Sequence, residues 1–129
     1  MSEAFLDSHV AIWLAAGSPR LAPVLHSRFR AGSCVVSSIS IAEFAIKAIA
    51  GKITLPKNPV ESFERVGITI AAFDAAAGDN VARFTSLQNH DPFDRLILAH
   101  AASRPATTFY TADARLLELG LDWIVDARA

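Results

Sequence analysis

The sequence predicts an α/β fold, a three-layer α/β/α sandwich around a central parallel sheet of about five strands. Three observations predict it. Short, largely apolar runs recur along the chain, stretches with helical spacing of apolar residues separate them, and the connections are brief. A parallel strand is buried on both faces and so reads as a near-continuous apolar run. The helix between successive strands is the crossover that parallel pairing requires.

The first run, Ala4-Phe5-Leu6, stops at Asp7, and Val10, Trp13 and Leu14 then share one face of a helix. Ser18-Pro19 opens a second helix through Leu21, Leu25 and Phe29, ending near Gly32. Cys34-Val35-Val36 is a buried strand. Ile39, Ala42, Ile46 and Ile49 mark the next helix, which stops at Gly51 because glycine accepts the left-handed turn found there. Asn58-Pro59 pairs an N-cap with a proline at the first helical position, and Gly67 ends that helix. Ile68-Thr69-Ile70 is a third strand, and Asp74 opens a helix through Val81 and Phe84. Asp91-Pro92 starts a helix through Leu96, Ile97 and Ala101, followed by a fourth strand, Thr107-Thr108-Phe109-Tyr110. Asp113 through Leu119 forms a short helix closed by Gly120, and Trp123-Ile124-Val125 is the last strand.

Residues 1–129 are read as one domain, long enough for one sizeable core; 52% hydrophobic and 19% charged residues argue against disorder. No apolar run is long enough to span a membrane, and no basic stretch precedes an apolar one at the start, so no signal peptide is expected. The single cysteine, Cys34, cannot form an internal disulfide, which fits a reducing cytoplasm. Twelve basic and thirteen acidic residues give a net charge of −1. That balance argues mildly against a dedicated nucleic-acid binder, yet it leaves room for a nuclease whose site charge is offset by metal.

Four acids stand where chemistry would need them. Asp7, Glu43 and Asp113 follow a strand or open the next helix, and Asp94 lies in the first turn of its own. Ligands of open parallel sheets bind beyond the carboxyl ends of the strands, so acids far apart in sequence can converge there. The plainer reading is helix capping. Ser40-x-x-Glu43 has the form of a capping box, Asp91-Pro92-Phe93-Asp94 that of a cap with an acid in the first turn, and Asp7 or Asp113 could each cap a helix. Against it, Ser8 and Thr111 stand beside two of the acids, so a charge occurs where a neutral oxygen would serve. Zinc spacing is absent among His9, His26, His90 and His100, Cys34 has no evident base, and no glycine-rich phosphate loop occurs. Asp91 and Thr111 are candidates to assist the site, and Lys47 and Arg95 to contact RNA, though each also suits a cap, a turn or the solvated surface.

Phe5-Leu6-Asp7-Ser8-His9-Val10, Val36 through Glu43, Asp91 through Ala99 and Tyr110-Thr111-Ala112-Asp113 together resemble the four motifs of PIN domains, in order and at the family's spacing. The likeness extends to Gly51-Lys52-Ile53-Thr54-Leu55-Pro56 and to Trp123 through Ala127, and it is nearest to the VapC-type toxins of toxin–antitoxin pairs. The chain departs from the family pattern at Met1-Ser2-Glu3-Ala4, which is more polar than the usual lead-in. The resemblance implies a parallel five-stranded sheet and a Mg²⁺- or Mn²⁺-dependent endoribonuclease. It further implies a small antitoxin encoded beside the toxin, a homodimer and a toxin–antitoxin hetero-oligomer. Asp7 and Asp94 match the family's main metal ligands, and Glu43 and Asp113 its other two acids. Crowded carboxylates repel, and a hard divalent cation with oxygen ligands removes that conflict. Two other readings were weighed: a PIN-like binding module without catalysis, and a signalling receiver domain. A receiver would carry an adjacent acidic pair and a late lysine, whereas Asp7 stands alone and no lysine follows Lys57.

Overall fold

Strand pairing in the computed structural model, which describes residues 3–129, runs in the order β3-β2-β1-β4-β5, with every neighbouring pair parallel. The strands are β1 (Glu3–Leu6), β2 (Cys34–Ser37), β3 (Thr69–Ala71), β4 (Thr107–Thr111) and β5 (Ile124–Asp126). The helices are α1 (Ser8–Ala15), α2 (Pro23–Arg30), α3 (Ser38–Ile49), α4 (Pro59–Arg65), α5 (Ala75–Asn80), α6 (Pro92–Ala102) and α7 (Ala114–Leu117). The expected sandwich is therefore observed. Met1 and Ser2, the polar lead-in of the sequence, lie outside the described residues.

Alternation along the strands divides the core in two. Ala4, Leu6, Cys34, Val36 and Tyr110 pack with Val10, Leu14, Leu25, Phe44 and Phe63 of α1 to α4. Phe5, Val35, Phe109 and Ile124 pack instead with Ile97, Leu98 and Leu116 of α6 and α7. A period-two strand covered by helices on both faces needs apolar residues at successive positions, and Ala4–Leu6 of β1 and Cys34–Val36 of β2 supply them.

Three local expectations need correction. The second helix begins at Pro23 rather than after Ser18-Pro19. Leu21 is claimed by an isolated antiparallel bridge to Arg128, and the Ala22 N–H donates to Ala127 O at 2.8 Å, so the end of the chain holds this segment extended. The helix expected through Phe84 ends at Asn80 and gives way to two 3₁₀ turns, Val81–Arg83 and Thr85–Leu87. Gly78, Asp79 and Asn80 are weak helix formers, and the Asn80 side chain donates to Ala99 O on α6. Finally, Ser40 is not an N-cap. The cap of α3 lies three residues earlier, with Ser37 Oγ accepting from the Ile39 N–H at 3.0 Å, so Ser40-x-x-Glu43 is no capping box.

Parallel order brings the carboxyl ends of the strands into one row. Leu6 is in register with Val36 on one side and Tyr110 on the other, so Asp7, Ser37 and Thr111 are each one step further on. All three are buried and polar. The sequence runs outward from β1 through β2 to β3, then returns to the other side of β1 for β4 and β5. The strand order therefore reverses between β1 and β4, where open sheets of this kind form a crevice.

Ser37 has two duties: it caps α3, and its Oγ lies 2.8 Å from Nδ1 of His100, which is itself wedged edge-on against Phe5 and Phe73. Burial holds the His100 pKa below its ordinary value, so a neutral ring depends on that hydroxyl. Ser37→Ala is expected to destabilise the protein by about 2 kcal/mol or more, the sum of a lost cap and an orphaned buried imidazole nitrogen. Urea unfolding measures it, and a loss within error of zero would show that neither bond matters.

Candidate active site

Asp7 stands at the end of β1 because the chain must turn there, and its backbone N–H still donates to Tyr110 O at 3.0 Å. One carboxylate oxygen, Oδ1, accepts from the Ser8 N–H at 2.8 Å and caps α1. The other, Oδ2, accepts from the Thr111 hydroxyl at 2.6 Å. Thr111 Oγ1 in turn accepts from the Asp113 N–H at 3.0 Å, so one threonine ties the end of β1 to the start of α7. Asp113 repeats the pattern of Asp7: Oδ1 caps α7 through the Arg115 N–H at 2.8 Å, while Oδ2 faces His90. Asp91 caps α6 through the Phe93 N–H at 2.8 Å and also lines the cleft described below.

Glu43 and Asp94 cap nothing. Glu43 is 3% exposed on α3, a placement that only its partners can sustain. Ser8 Oγ donates to its Oε1 at 2.7 Å and accepts from Ser40 Oγ at 2.8 Å, while Lys47 Nζ lies 2.9 Å from its Oε2. Asp94, at the third position of α6, sits near all the other acids. Burial first, then the negative charges of Asp7, Asp91, Glu43 and Asp113, push its carboxyl up to about 8. Burial also raises Asp7, against the bonds it accepts from Thr111 and Ser8. Asp7, Glu43, Asp94 and Asp113 line one cleft of about 300 Å³, with Lys47 and Trp13 at its walls. The acids picked out from the sequence thus converge, and capping explains only one oxygen of Asp7 and one of Asp113.

His90, not singled out as a site residue from the sequence, lies against two of these acids. Its Nε2 lies 3.0 Å from Oδ2 of both Asp94 and Asp113, and its side chain is 7% exposed. Its only sequence signal was position, one residue before the cap of α6 and four before Asp94. Ser8 and Ser40 were read as caps, whereas their hydroxyls form the chain that supports Glu43. Lys47, read as an RNA contact, is paired with Glu43. Burial pushes the Cys34 thiol up to about 11, which removes it as a nucleophile. The donor set suits a hard divalent cation: convergent carboxylate oxygens whose mutual repulsion is visible at Asp94.

A family model described as the PIN domain matches residues 4–121, a span that holds all four acids. No curated protein sequence matches the chain. Among solved structures it is similar to DNA-bound VapBC from Salmonella typhimurium, at 20% identity over 92% of each chain, with a TM-score of 0.61. It is also similar to VapBC2 from Rickettsia felis bound to a DNA fragment from their promoter, at 17% identity, covering 89% of this chain and 91% of that one, with a TM-score of 0.60. At these identities the likeness to the two structures is one of fold.

Charge crowding at Asp94 sets a pH dependence. A carboxyl whose folded pKa is raised keeps its proton when folded at pH values where the unfolded chain has lost it. Without metal, stability is therefore greatest near or below the ordinary Asp value of 3.8 and declines as pH climbs to about 8. In EDTA the melting temperature is expected to fall between pH 5 and pH 8, and Asp94→Asn to flatten that slope and melt higher than wild type at pH 8. A variant as pH-sensitive as wild type would place the repulsion elsewhere.

Proposed function

The chain belongs to the PIN-domain family, and on that premise we propose that it is a divalent-metal-dependent endoribonuclease acting as the toxin of a type II toxin–antitoxin pair. The observation that carries this reading is the meeting of Asp7, Glu43, Asp94 and Asp113 at the point where the strand order reverses, with Asp94 raised to about 8 by burial and then by its acidic neighbours. Mg²⁺ or Mn²⁺ held by Asp7 and Asp94 would neutralise that charge, activate water and act as a Lewis acid toward the phosphodiester.

The chain's own side chains do the positioning. Asp7 is fixed from both sides by Ser8 and Thr111, so its carboxylate cannot swing away from the cleft. Glu43 is held by Ser8 and Lys47, in a place where it would orient the attacking water. Asp113, tied through Thr111 to Asp7, holds the opposite wall. RNA as substrate comes from the VapC-like motifs, and so does the antitoxin.

An apolar groove of about 450 Å³ supports the antitoxin assignment. It runs beside α1, α3 and α4 and is lined by Ile12, Phe44, Leu55, Phe63 and Val66. It suits an apolar helix or strap, with an Arg or Lys continuing to the acids. Ile46 and Ile49 leave further apolar surface exposed on α3, which supports a homodimer within the toxin–antitoxin assembly. No described helix is long and apolar enough to cross a membrane, in keeping with a cytoplasmic protein.

Purified protein is expected to cut RNA oligonucleotides with Mg²⁺ or Mn²⁺, to stop in EDTA, and to leave DNA of the same sequence intact. Asp7→Asn and Glu43→Gln should each slow cleavage by roughly a hundredfold or more while melting within a few degrees of wild type. Variants that cleave normally, or cleavage that persists in EDTA, would return these acids to a structural role. Ile12→Lys and Val66→Lys, at exposed groove positions, should lose co-purification with the product of the adjoining small reading frame and keep cleavage. Retained binding would place the antitoxin elsewhere.

A further inference from the structure

His90 reaches the acids by a route that the four-carboxylate description does not use. After the second 3₁₀ turn its backbone N–H donates to Leu87 O at 2.9 Å, a bend that turns the ring back over the start of α6. Nε2 then lies 3.0 Å from Oδ2 of Asp94 and 3.0 Å from Oδ2 of Asp113. One ligand atom from each of the three residues falls within 4.8 Å of the other two. Two donors at neighbouring corners of a six-coordinate ion, each bonded at about 2.1 Å, lie about 3.0 Å apart. The spacing that suits N–H···O hydrogen bonds is thus also that of two ligands sharing one cation. Nδ1 is buried without a partner among the described residues, so no second group commits Nε2 to carrying the proton.

We propose that His90 is a nitrogen ligand of the catalytic centre, joined with Asp94 and Asp113, and that it makes the centre prefer a first-row transition-metal ion to Mg²⁺. The inference rests on the metal-dependent reading above. Mg²⁺ favours an all-oxygen shell, whereas imidazole is a good ligand for transition ions, so a ring inside the shell separates the two classes.

Mn²⁺ serves as the probe, on the full-length chain stripped with EDTA and reloaded. Electron spin-echo spectroscopy of bound Mn²⁺ should show ¹⁴N modulation in wild type, keep it in His9→Ala, and lose it in His90→Ala and in His90→Gln, which retains a hydrogen-bonding side chain if the alanine variant fails to fold. Calorimetry should find Mn²⁺ affinity about tenfold lower in the His90 variants, with Mg²⁺ affinity changed less than threefold. Mn²⁺ bound without ¹⁴N modulation, modulation that disappears with His9 instead, or equal losses for both ions would overturn the role of His90 and leave the nuclease reading intact. A wild-type chain that binds neither ion would overturn the metal-dependent reading, and this inference with it.

Discussion

A carboxylate buried at the end of the central strand must be held by hydrogen bonds or not be there at all. Asp7 is 5% exposed, and an unpaired charge at such a place costs more than a marginally stable domain can lose. Much of the site follows from how that demand is met. The Ser8 N–H answers one oxygen and the Thr111 hydroxyl the other, which requires β4 to lie directly beside β1. That pairing sets the point of strand reversal, and the same threonine then positions Asp113. Sheet order, the start of α1 and the start of α7 are therefore linked by one carboxylate and its partners.

Capping a helix and facing the cleft fall to the same carboxylates here rather than compete. In Asp7 and Asp113, one oxygen of the carboxylate satisfies an orphan backbone N–H of a helix, and the other turns to a side chain beside the cleft, Thr111 for Asp7 and His90 for Asp113. A serine could cap but would offer no second anionic oxygen, which is why an acid at these positions carries information that capping preferences do not. Glu43 follows a different logic: deep in α3, it depends on the Ser40–Ser8 hydroxyl chain and on Lys47. Its neighbours are polar because its charge demands it.

The parallel sheet and the layer structure were legible because apolar runs and helical spacing are local properties that survive folding. Boundaries were legible only where local chemistry ruled. Pro92 after Asp91 marks α6 correctly, but Ser18-Pro19 did not start α2, since the distant Arg128 and Ala127 hold Leu21 and Ala22 extended. Ser40-x-x-Glu43 misled in a similar way. The motif is spaced like a capping box, yet Ser37 is a better cap once β2 delivers it to the helix start. Asp7, Asp94 and Asp113 could be picked out by their placement at a strand end or a helix start, whereas Glu43 was placed near a helix start only by the misread cap and lies in the middle of α3. His90 could not be picked out, because its approach to Asp94 and Asp113 depends on an irregular segment of 3₁₀ turns that has no periodic signature.

The cost that makes the site strained also decides what can enter it. With the negative charges of Asp7, Asp91, Glu43 and Asp113 acting on Asp94, the cleft repels a bare phosphodiester and attracts any compact cation. Lys47 at the cleft wall offsets part of the charge, but it is already engaged by Glu43. Whatever relieves the repulsion gains binding energy from it and stabilises the fold in proportion to occupancy. A metal ion does so with exchangeable positions left over for water and phosphate. A guanidinium or ammonium from a protein partner would do so with none, anchored by apolar contacts in the groove below α1. On the proposed function, activation and inhibition would draw on the same electrostatic repulsion, and what would separate them is whether the cation that satisfies the acids still leaves room for substrate.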